Sequence, residues 1–312
     1  MVPCQIGLVW VGVTLTVQIR YKAWEVSKQG WGMSNDGGTL YLVATPIGNL
    51  GDMSARAIET LRSVSLIAAE DTRHSAPLLR HFAIATATTS LHEHNEAERI
   101  PQLLARIGAG EDVAIISDAG TPLISDPGYR LVRAAHDAGV RVVPIPGPCA
   151  AIAALSVSGL PTDEFVFAGF PPARREARRR FFRERDQEAR TQIFYESPHR
   201  IVESLQDMAE GFGGGRSAAV ARELTKRYET VLEGDLAALA ERVAGDPEQQ
   251  KGEFVVLVHG KPDQTEELSA GAIAVVRILA EELPPRQAAA LASRITGHRK
   301  NDLYKFLLQS RS

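Results

Sequence analysis

Residues 113–128 read VAIISDAGTPLISDPG, an apolar run typical of a strand followed directly by a loop rich in Asp, Pro and Gly. The loop, 118–128, contains two residues of each of these three types and is long for the connection that follows a buried strand. In a parallel sheet such a loop lies beyond the carboxyl end of its strand, where ligands bind. We interpret it as a binding loop; the alternative is a structural series of Asx turns.

Similar apolar runs without in/out alternation recur on both sides of this segment, separated by amphipathic stretches. Such runs suit strands that are covered on both faces by helices. Before residue 149 they are 40–45, 65–69, 113–117 and 140–145; after it they are 165–168, 191–195, 218–222, 229–232 and 254–258. The later runs follow one another closely enough for hairpins. The sequence therefore predicts two α/β domains, the second with a mixed sheet.

The ends of the chain differ from this pattern. We predict an N-terminal extension at 1–38, α/β domains at 39–148 and 149–262, and a helical appendage of helix-turn-helix type at 263–312. The apolar run 6–19 is too short to span a bilayer comfortably and lacks the basic region of a signal peptide. We expect residues 1–32 to be disordered or an over-extended reading frame, with Met33 as the natural start. The alternatives are a membrane-associated leader and an extra packed segment.

Composition limits the classes of function. The 312 residues are 44% hydrophobic and 23% charged with a net charge of -3, which excludes a uniformly basic nucleic-acid binder but not a local basic patch. Two cysteines cannot form a disulfide framework, and no Cys/His group has the spacing of a zinc site. The sequence therefore predicts a cytoplasmic protein without a metal centre.

Two further loops follow predicted strands, and one glycine-rich stretch does not. Residues 45–52 read TPIGNLGD, which taken alone favours a tight turn and a helix cap. Residues 70–74 read EDTRH, which we interpret as a functional cluster rather than as solvated loop charge. The glycines of 211–215 follow a helix and precede a strand, the reverse of a dinucleotide-binding fingerprint, so we interpret them as a loop.

Together with 146–150 (PGPCA) and 194–200 (FYESPHR), these loops stand in the order and spacing of tetrapyrrole-methylase-type methyltransferases, which the chain resembles over about residues 39–260. Any one of the motifs is weak, but their combination is specific. More narrowly, the chain resembles the branch that methylates a cytidine ribose 2′-oxygen in the decoding centre of 16S rRNA. The resemblance implies S-adenosylmethionine as cofactor in a cleft between two α/β domains. It also implies a homodimer acting on 16S rRNA within the 30S subunit, with no membrane partner.

The resemblance also implies which residues bind the cofactor. They are Pro46, Asp118, Ala119, Gly120, Thr121, Ser125, Cys149, Ala150, Phe194, Tyr195, Gly252 and Phe254. Small residues in this set would let backbone groups approach the ligand, and apolar residues would cover the rest. Cys149 is interpreted as a wall residue rather than a nucleophile, because no histidine lies near it in sequence.

Methyl transfer from a sulfonium is an in-line displacement, so alignment alone can lower the barrier by about 7–11 kcal/mol. A ribose hydroxyl is a poor nucleophile, and a positioned proton acceptor should help. We expect Asp71 first and Glu70 second in this role, with Arg73 holding an Asp or a phosphate; Glu196 is an alternative acceptor. The competing interpretation is that Asp71 and Arg73 form a structural ion pair.

An RNA partner requires positive charge. The stretch 174–190 contains eight arginines against four acids, with Phe181 and Phe182 interleaved. The expected RNA-binding residues are Arg175, Arg178, Arg179, Arg183, Arg200 and Lys226. The alternative for this stretch is a solvated amphipathic helix. Two other functions stay open: a C-methyltransferase of a tetrapyrrole precursor, which would not need the arginines, and a non-enzymatic RNA-binding assembly factor, which would not need the 118–128 loop.

Overall fold

The computed structural model describes residues 4–10, 13–19, 37–261, 268–298 and 300–310. The chain forms two compact units, Met1–Asp36 and Gly37–Ser312. In the first unit, β1 (Cys4–Trp10) and β2 (Val13–Ile19) pair as an antiparallel hairpin. The other residues of this unit lie outside the described part of the chain, so the expectation of a disordered or over-extended start stays a prediction.

The second unit begins with a five-stranded sheet. Its strands are β3 (Thr39–Val43), β4 (Leu66–Ala69), β5 (Thr88–Ser90), β6 (Val113–Ile116) and β7 (Arg141–Ile145). They lie in the order β5-β4-β6-β3-β7, and every pairing is parallel. The helices of this half are α1 (Ala55–Ser63), α2 (Thr72–His81), α3 (Glu96–Gly108) and α4 (Tyr129–Asp137).

This sheet is covered on both faces. Alternate residues of its strands belong to two separate core clusters: Ile67 and Ile116 pack with α1 and α2, whereas Leu66 and Ile115 pack with α3 and α4. Double coverage explains why the strands read as uninterrupted apolar runs. The predicted parallel sheet is confirmed.

The second sheet uses a later part of the chain. Its strands are β8 (Phe165–Gly169), β9 (Thr191–Glu196), β10 (Ser217–Arg222), β11 (Thr230–Asp235) and β12 (Phe254–Val258). The order is β11-β10-β12-β9-β8, with β8 parallel to β9 and the other pairs antiparallel. Its helices are α5 (Ala150–Val157), α6 (Arg175–Arg183), α7 (Ile201–Phe212) and α8 (Leu236–Gly245). The mixed sheet is as predicted.

Helix α5 packs on one face of this sheet, and α6, α7 and α8 pack on the other. Helix α6 covers only the first part of the arginine-rich stretch 174–190. Residues after Arg183 instead form turns, in which Arg185 N donates to Phe182 O at 3.0 Å and Asp186 N to Arg183 O at 3.3 Å. These turns bring the chain back to the start of β9.

The C-terminal region is helical, as predicted. Helices α9 (Ala270–Glu282), α10 (Pro285–Thr296) and α11 (Lys300–Gln309) pack around a shared core of alanines, Val276 and two leucines. Gly297 ends α10 in the left-handed conformation, with φ +78°. Among the residues described, no helix combines the length and apolar character needed to cross a bilayer. The domain limits given above stay predictions.

Candidate active site

A cavity of about 400 Å³ lies between the loops that follow individual strands of the first sheet and one face of the second sheet. This volume falls within the range of small-molecule sites. The 118–128 loop supplies much of one wall, Cys149 and Ala150 also line the cavity, and residues of β9, β10 and β12 form the wall from the second sheet. Both halves of the second unit are therefore needed to build it.

The 118–128 loop is fixed by an isolated two-residue bridge to the chain after β3. Thr45 N donates to Gly120 O at 2.8 Å, and Gly120 N donates back to Thr45 O at 3.1 Å. Gly120 has φ +85°, a left-handed conformation that favours glycine. Thr121 Oγ1 donates to Pro148 O at 3.0 Å, which ties the loop to the turn before α5. These bonds hold residues 119–121 against the cavity.

Strained backbone occurs on both sides of the cavity. Leu123 and Ser125 have φ values of 73° and 66°, and Glu223 and Thr225 have 51° and 65°. A non-glycine residue in this region costs about 1–3 kcal/mol, and such residues cluster at functional sites. The cavity lies between the two strained loops, since Ser125 and Leu224 both line it.

Five acidic residues line the cavity: Glu70, Asp118 and Asp126 from the loops after the first sheet, and Glu196 and Glu253 from the second sheet and the turn before β12. Burial, reinforced by the negative charges of Glu70 and Asp118, raises the pKa of Asp126 to about 6. Burial also raises the pKa of Glu70. Asp118 pairs with His74 Nδ1 at 2.9 Å, and this hydrogen bond raises the pKa of His74. The cavity thus contains two carboxyls with raised pKa beside one that is held in place.

Asp71 and Arg73 are not among the residues that line the cavity, and the expectation that Asp71 is the first proton acceptor stays a prediction. The Asp71 carboxylate accepts hydrogen bonds from Arg73 N at 2.8 Å, Nε at 3.1 Å and Nη2 at 2.7 Å. It also caps α2. These bonds hold its pKa well below the usual range. Asp71 and Arg73 thus form an ion pair with each other, as in the competing interpretation of this segment.

Tyr195 and Phe254 line the second-domain wall, as the resemblance implies. The Tyr195 hydroxyl accepts a hydrogen bond from Ala151 N at 3.2 Å, and its ring makes edge contacts with Phe167 and Phe170. Burial raises the pKa of Tyr195 to about 12, so the hydroxyl stays neutral at physiological pH. This tyrosine joins α5 to the wall.

Three expected cofactor residues are absent from the cavity lining: Phe194, Pro46 and Gly252. Phe194 alternates with Tyr195 on β9, so it points to the other face, where it is fully buried against Phe182. Pro46 and Gly252 each precede a residue that does line the cavity. Gly252 has φ +92°, and a Cβ there would lie 2.4 Å from the Glu223 side chain.

Several lining residues were not predicted. Asp126 and Ile124 belong to the quoted loop and could have been found by extending the site along it. Phe170 follows the predicted strand 165–168, where the rule that ligands bind beyond strand ends also applies. The rest come from the second-domain wall: Ser197, Pro198, Ala221, Leu224, Glu253 and Val255, with Ile47 from the first domain. Pairing between β9, β10 and β12 unites them, and no local sequence signal shows it.

Glu196, the alternative proton acceptor, is buried and fully engaged. It accepts hydrogen bonds from Ser197 N at 2.7 Å and from the Ser204 hydroxyl, and pairs with Arg200 Nη2 at 2.8 Å. Its carboxylate therefore has a structural role.

The expected RNA-binding residues divide into buried and exposed groups. Arg178 is fully buried, with Nη2 at 2.7 Å from Asp207 Oδ2 and 3.1 Å from Glu203 Oε2, so its guanidinium is not presented to solvent in this structure. Arg175 also pairs with Asp207 but is half exposed, and Arg183 is exposed.

The other three are ion-paired. Arg179 pairs with Glu210, Arg200 with Glu196, and Lys226 with both Glu223 and Glu253. The aliphatic part of the Lys226 side chain packs against Gly48, where an added Cβ would lie 2.4 Å from Lys226 Cγ.

The chain is similar to two protein families and to several curated proteins. The family model of tetrapyrrole (corrin/porphyrin) methylases matches residues 39–240, and that of the RsmI C-terminal HTH domain matches 266–311. The chain is 56% identical over 274 residues to ribosomal RNA small subunit methyltransferase I of Pseudomonas aeruginosa, covering 87% of this chain and 97% of that protein. It is 49% identical over 282 residues to the protein of the same name from Escherichia coli O157:H7, covering 90% and 99%.

Solved structures agree on the fold alone. The methyltransferase CobJ is 20% identical, with a TM-score of 0.53 over 72% of this chain and 94% of that one. Diphthine synthase is 15% identical, with a TM-score of 0.53 over 71% and 90%. Because a family model matches most of the chain and close relatives align over nearly their whole length, the chain belongs to the tetrapyrrole methylase family, within the group of ribosomal RNA small subunit methyltransferase I proteins.

Proposed function

We propose that the chain is an S-adenosylmethionine-dependent methyltransferase that methylates the ribose 2′-oxygen of a cytidine in the decoding centre of 16S rRNA. The observation that carries the proposal is the 56% identity to a ribosomal RNA small subunit methyltransferase across 97% of that protein. The match of residues 266–311 to the C-terminal domain of the same group supports it.

The cavity residues fit S-adenosylmethionine. The carboxylates of Asp118 and Glu70 can accept hydrogen bonds from an ammonium group or a ribose diol, and the 119–121 backbone is presented to the ligand. Gly120 has φ +85°, where a side chain would be strained, so glycine suits this close approach of the backbone. Apolar walls at Phe254 and Val255 suit an adenine ring. When bound there, the cofactor supplies an electrophilic methyl group.

The remaining task of the chain is to hold the ribose hydroxyl and accept its proton. Asp126 is the leading candidate, because its carboxyl lines the cavity and its pKa of about 6 suits a base that works near neutral pH. The proton would move from the 2′-hydroxyl oxygen to an Asp126 carboxylate oxygen. Glu70 is the second candidate, since burial raises its pKa too. Asp71 is less suited, because Arg73 already occupies its carboxylate.

The proposal extends to partners and location. We place the reaction on the 30S particle in the cytoplasm, with the enzyme as a homodimer. The apolar helix α5 supports a second copy: Ile152 and Val157 are 49% and 47% exposed, and a protein partner would cover them. Light scattering on the purified full chain measures this directly, and a monomer at all concentrations would contradict it.

Nucleoside mass spectrometry of 16S rRNA tests the activity. Cells that lack the protein should lose one 2′-O-methylcytidine, and the wild-type gene should restore it. Calorimetric titration with S-adenosylmethionine tests the cofactor separately. An unchanged nucleoside profile would contradict the substrate, and absent cofactor binding would contradict the enzyme class.

A further inference from the structure

Phe170 is an aromatic side chain left open at the mouth of the cavity. It lines the cavity, yet 54% of its surface is exposed. A phenylalanine ring gains free energy when it leaves water, so an exposed ring at the edge of a binding cavity offers a contact to a ligand.

The ring stands on a rigid support. Gly169, with φ +65°, ends β8, and Pro171 and Pro172 restrict the chain that follows. Arg200 Nη1 donates to Pro171 O at 3.4 Å. The Tyr195 ring supports Phe170 with a centroid distance of 5.5 Å. Phe170 is therefore held on one side and open on the other.

Positive charge lies directly beyond this aromatic residue. Helix α6 begins at Arg175, five residues after Phe170, and its N-cap residue Arg174 makes no side-chain capping hydrogen bond. Both arginines are exposed, and Arg175 also pairs with Asp207 through Nε at 3.2 Å. Exposed guanidinium groups and the first N–H groups of a helix suit a phosphate. The deeper wall of the cavity carries carboxylates and would repel one. An aromatic face at the mouth is thus followed, five residues later in the chain, by a helix start whose groups suit a phosphate, and these two features together suit a nucleotide.

We propose that Phe170 stacks on the base of the target nucleotide while the start of α6 contacts an adjacent phosphate. The inference rests on the proposed function, because it concerns how the RNA is held for ribose methylation. A ribose hydroxyl reaches an enclosed cavity when its nucleotide leaves the helical stack. An aromatic side chain then replaces the lost stacking, as in other recognition of unstacked RNA bases.

Two substitutions at Phe170 test the inference, with unmethylated 30S particles from cells lacking the protein as substrate. Phe170→Leu should raise the KM for 30S by about 5- to 150-fold, the range expected for losing one stacked base. Phe170→Tyr should restore the wild-type KM because it keeps the aromatic face. The dissociation constant for S-adenosylmethionine should stay unchanged in both. The matched control is Phe165→Leu, at the other end of β8, where the side chain is 39% exposed and off the cavity.

A substrate lacking the base separates stacking from general packing. A synthetic RNA segment containing the methylated cytidine is compared with the same segment carrying an abasic residue there. Wild-type affinity should fall on the abasic RNA, and Phe170→Leu should show no further loss, since both changes remove one interaction. Additive losses would overturn the inference. So would weaker S-adenosylmethionine binding with an unchanged KM for 30S, which would assign Phe170 to the cofactor.

The failure of this inference is distinguishable from failure of the proposed function. If the wild-type enzyme methylates 30S and Phe170→Leu does so with the same KM, only the stacking role is refuted. If the wild-type enzyme does not methylate rRNA, the proposed function falls and the stacking role falls with it.

Discussion

Replacing Asp126 by asparagine should slow methyl transfer and remove its pH dependence. The substitution keeps the shape of the side chain but removes the group that accepts a proton. With a pKa of about 6, roughly nine tenths of the Asp126 carboxyls are ionised at pH 7 and about one tenth at pH 5. Loss of a general base lowers the rate by about 10²–10⁴-fold, equivalent to about 3–5 kcal/mol of barrier.

The assay is single-turnover transfer of a labelled methyl group to unmethylated 30S between pH 5 and pH 8. The wild-type rate should rise about tenfold per pH unit below pH 6 and level off above it. Asp126→Asn should be slow and flat over this range. The matched control is Asp137→Asn, an isosteric change on the exposed end of α4, where Asp137 pairs with Arg133. Its profile should equal the wild-type profile.

Two results would refute this reasoning. One is a wild-type rate constant in Asp126→Asn, and the other is a slow variant that keeps the inflection near pH 6. The second result would assign the inflection to a group other than Asp126, and Glu70 is the first to test because burial raises its pKa. Glu70→Gln in the same assay would then lose the inflection.

Three further predictions concern stability and RNA contact. Arg178→Ala should lower the free energy of unfolding by about 3 kcal/mol, because it leaves Asp207 buried with too few partners; urea denaturation at constant m-value measures this. Arg183→Ala should leave stability within about 0.5 kcal/mol of wild type yet weaken 30S binding with a smaller salt slope, and an unchanged slope would assign that arginine to solvent. Asp126→Asn should have a larger free energy of unfolding than wild type at pH 7, by on the order of 1 kcal/mol after solvent screening. Because the pKa of Asp126 is raised in the folded state, the wild-type protein loses stability as the pH rises from about 4 to 6, and the variant does not. A difference in unfolding free energy that persists at pH 3 would contradict this origin.

Local patterns in the sequence predicted the sheets well where both faces of a strand are buried. The exception is β5, whose residues Thr88–Ser90 form no apolar run because it is a short edge strand. Helix α9 lies within the predicted helical appendage, but its stretch of small and apolar residues (Ala270–Glu282) has a weak amphipathic pattern, and its burial comes from α10 and α11.

The site was predicted at the level of loops rather than side chains. The rule that ligands lie beyond strand ends located the 118–128 loop and the segment around Glu70. It did not distinguish Phe194 from Tyr195, although the two-residue alternation of a strand shows that adjacent residues point to opposite faces. The burial of Arg178 depends on Asp207, 29 residues later on α7, and no local pattern shows that pair.

The separation of the two sheets along the chain has a consequence for synthesis. All strands of the first sheet precede residue 146, whereas the opposite wall of the cavity is complete only at Val255. A translating ribosome adds the intervening stretch of about 110 residues in roughly 6–22 s at common elongation rates. During that interval the nascent chain can fold the first sheet, but it has only the first-domain wall of the cavity. Products that terminate before Val255 therefore lack part of the second wall of the cavity, and with it part of the site for methyl transfer.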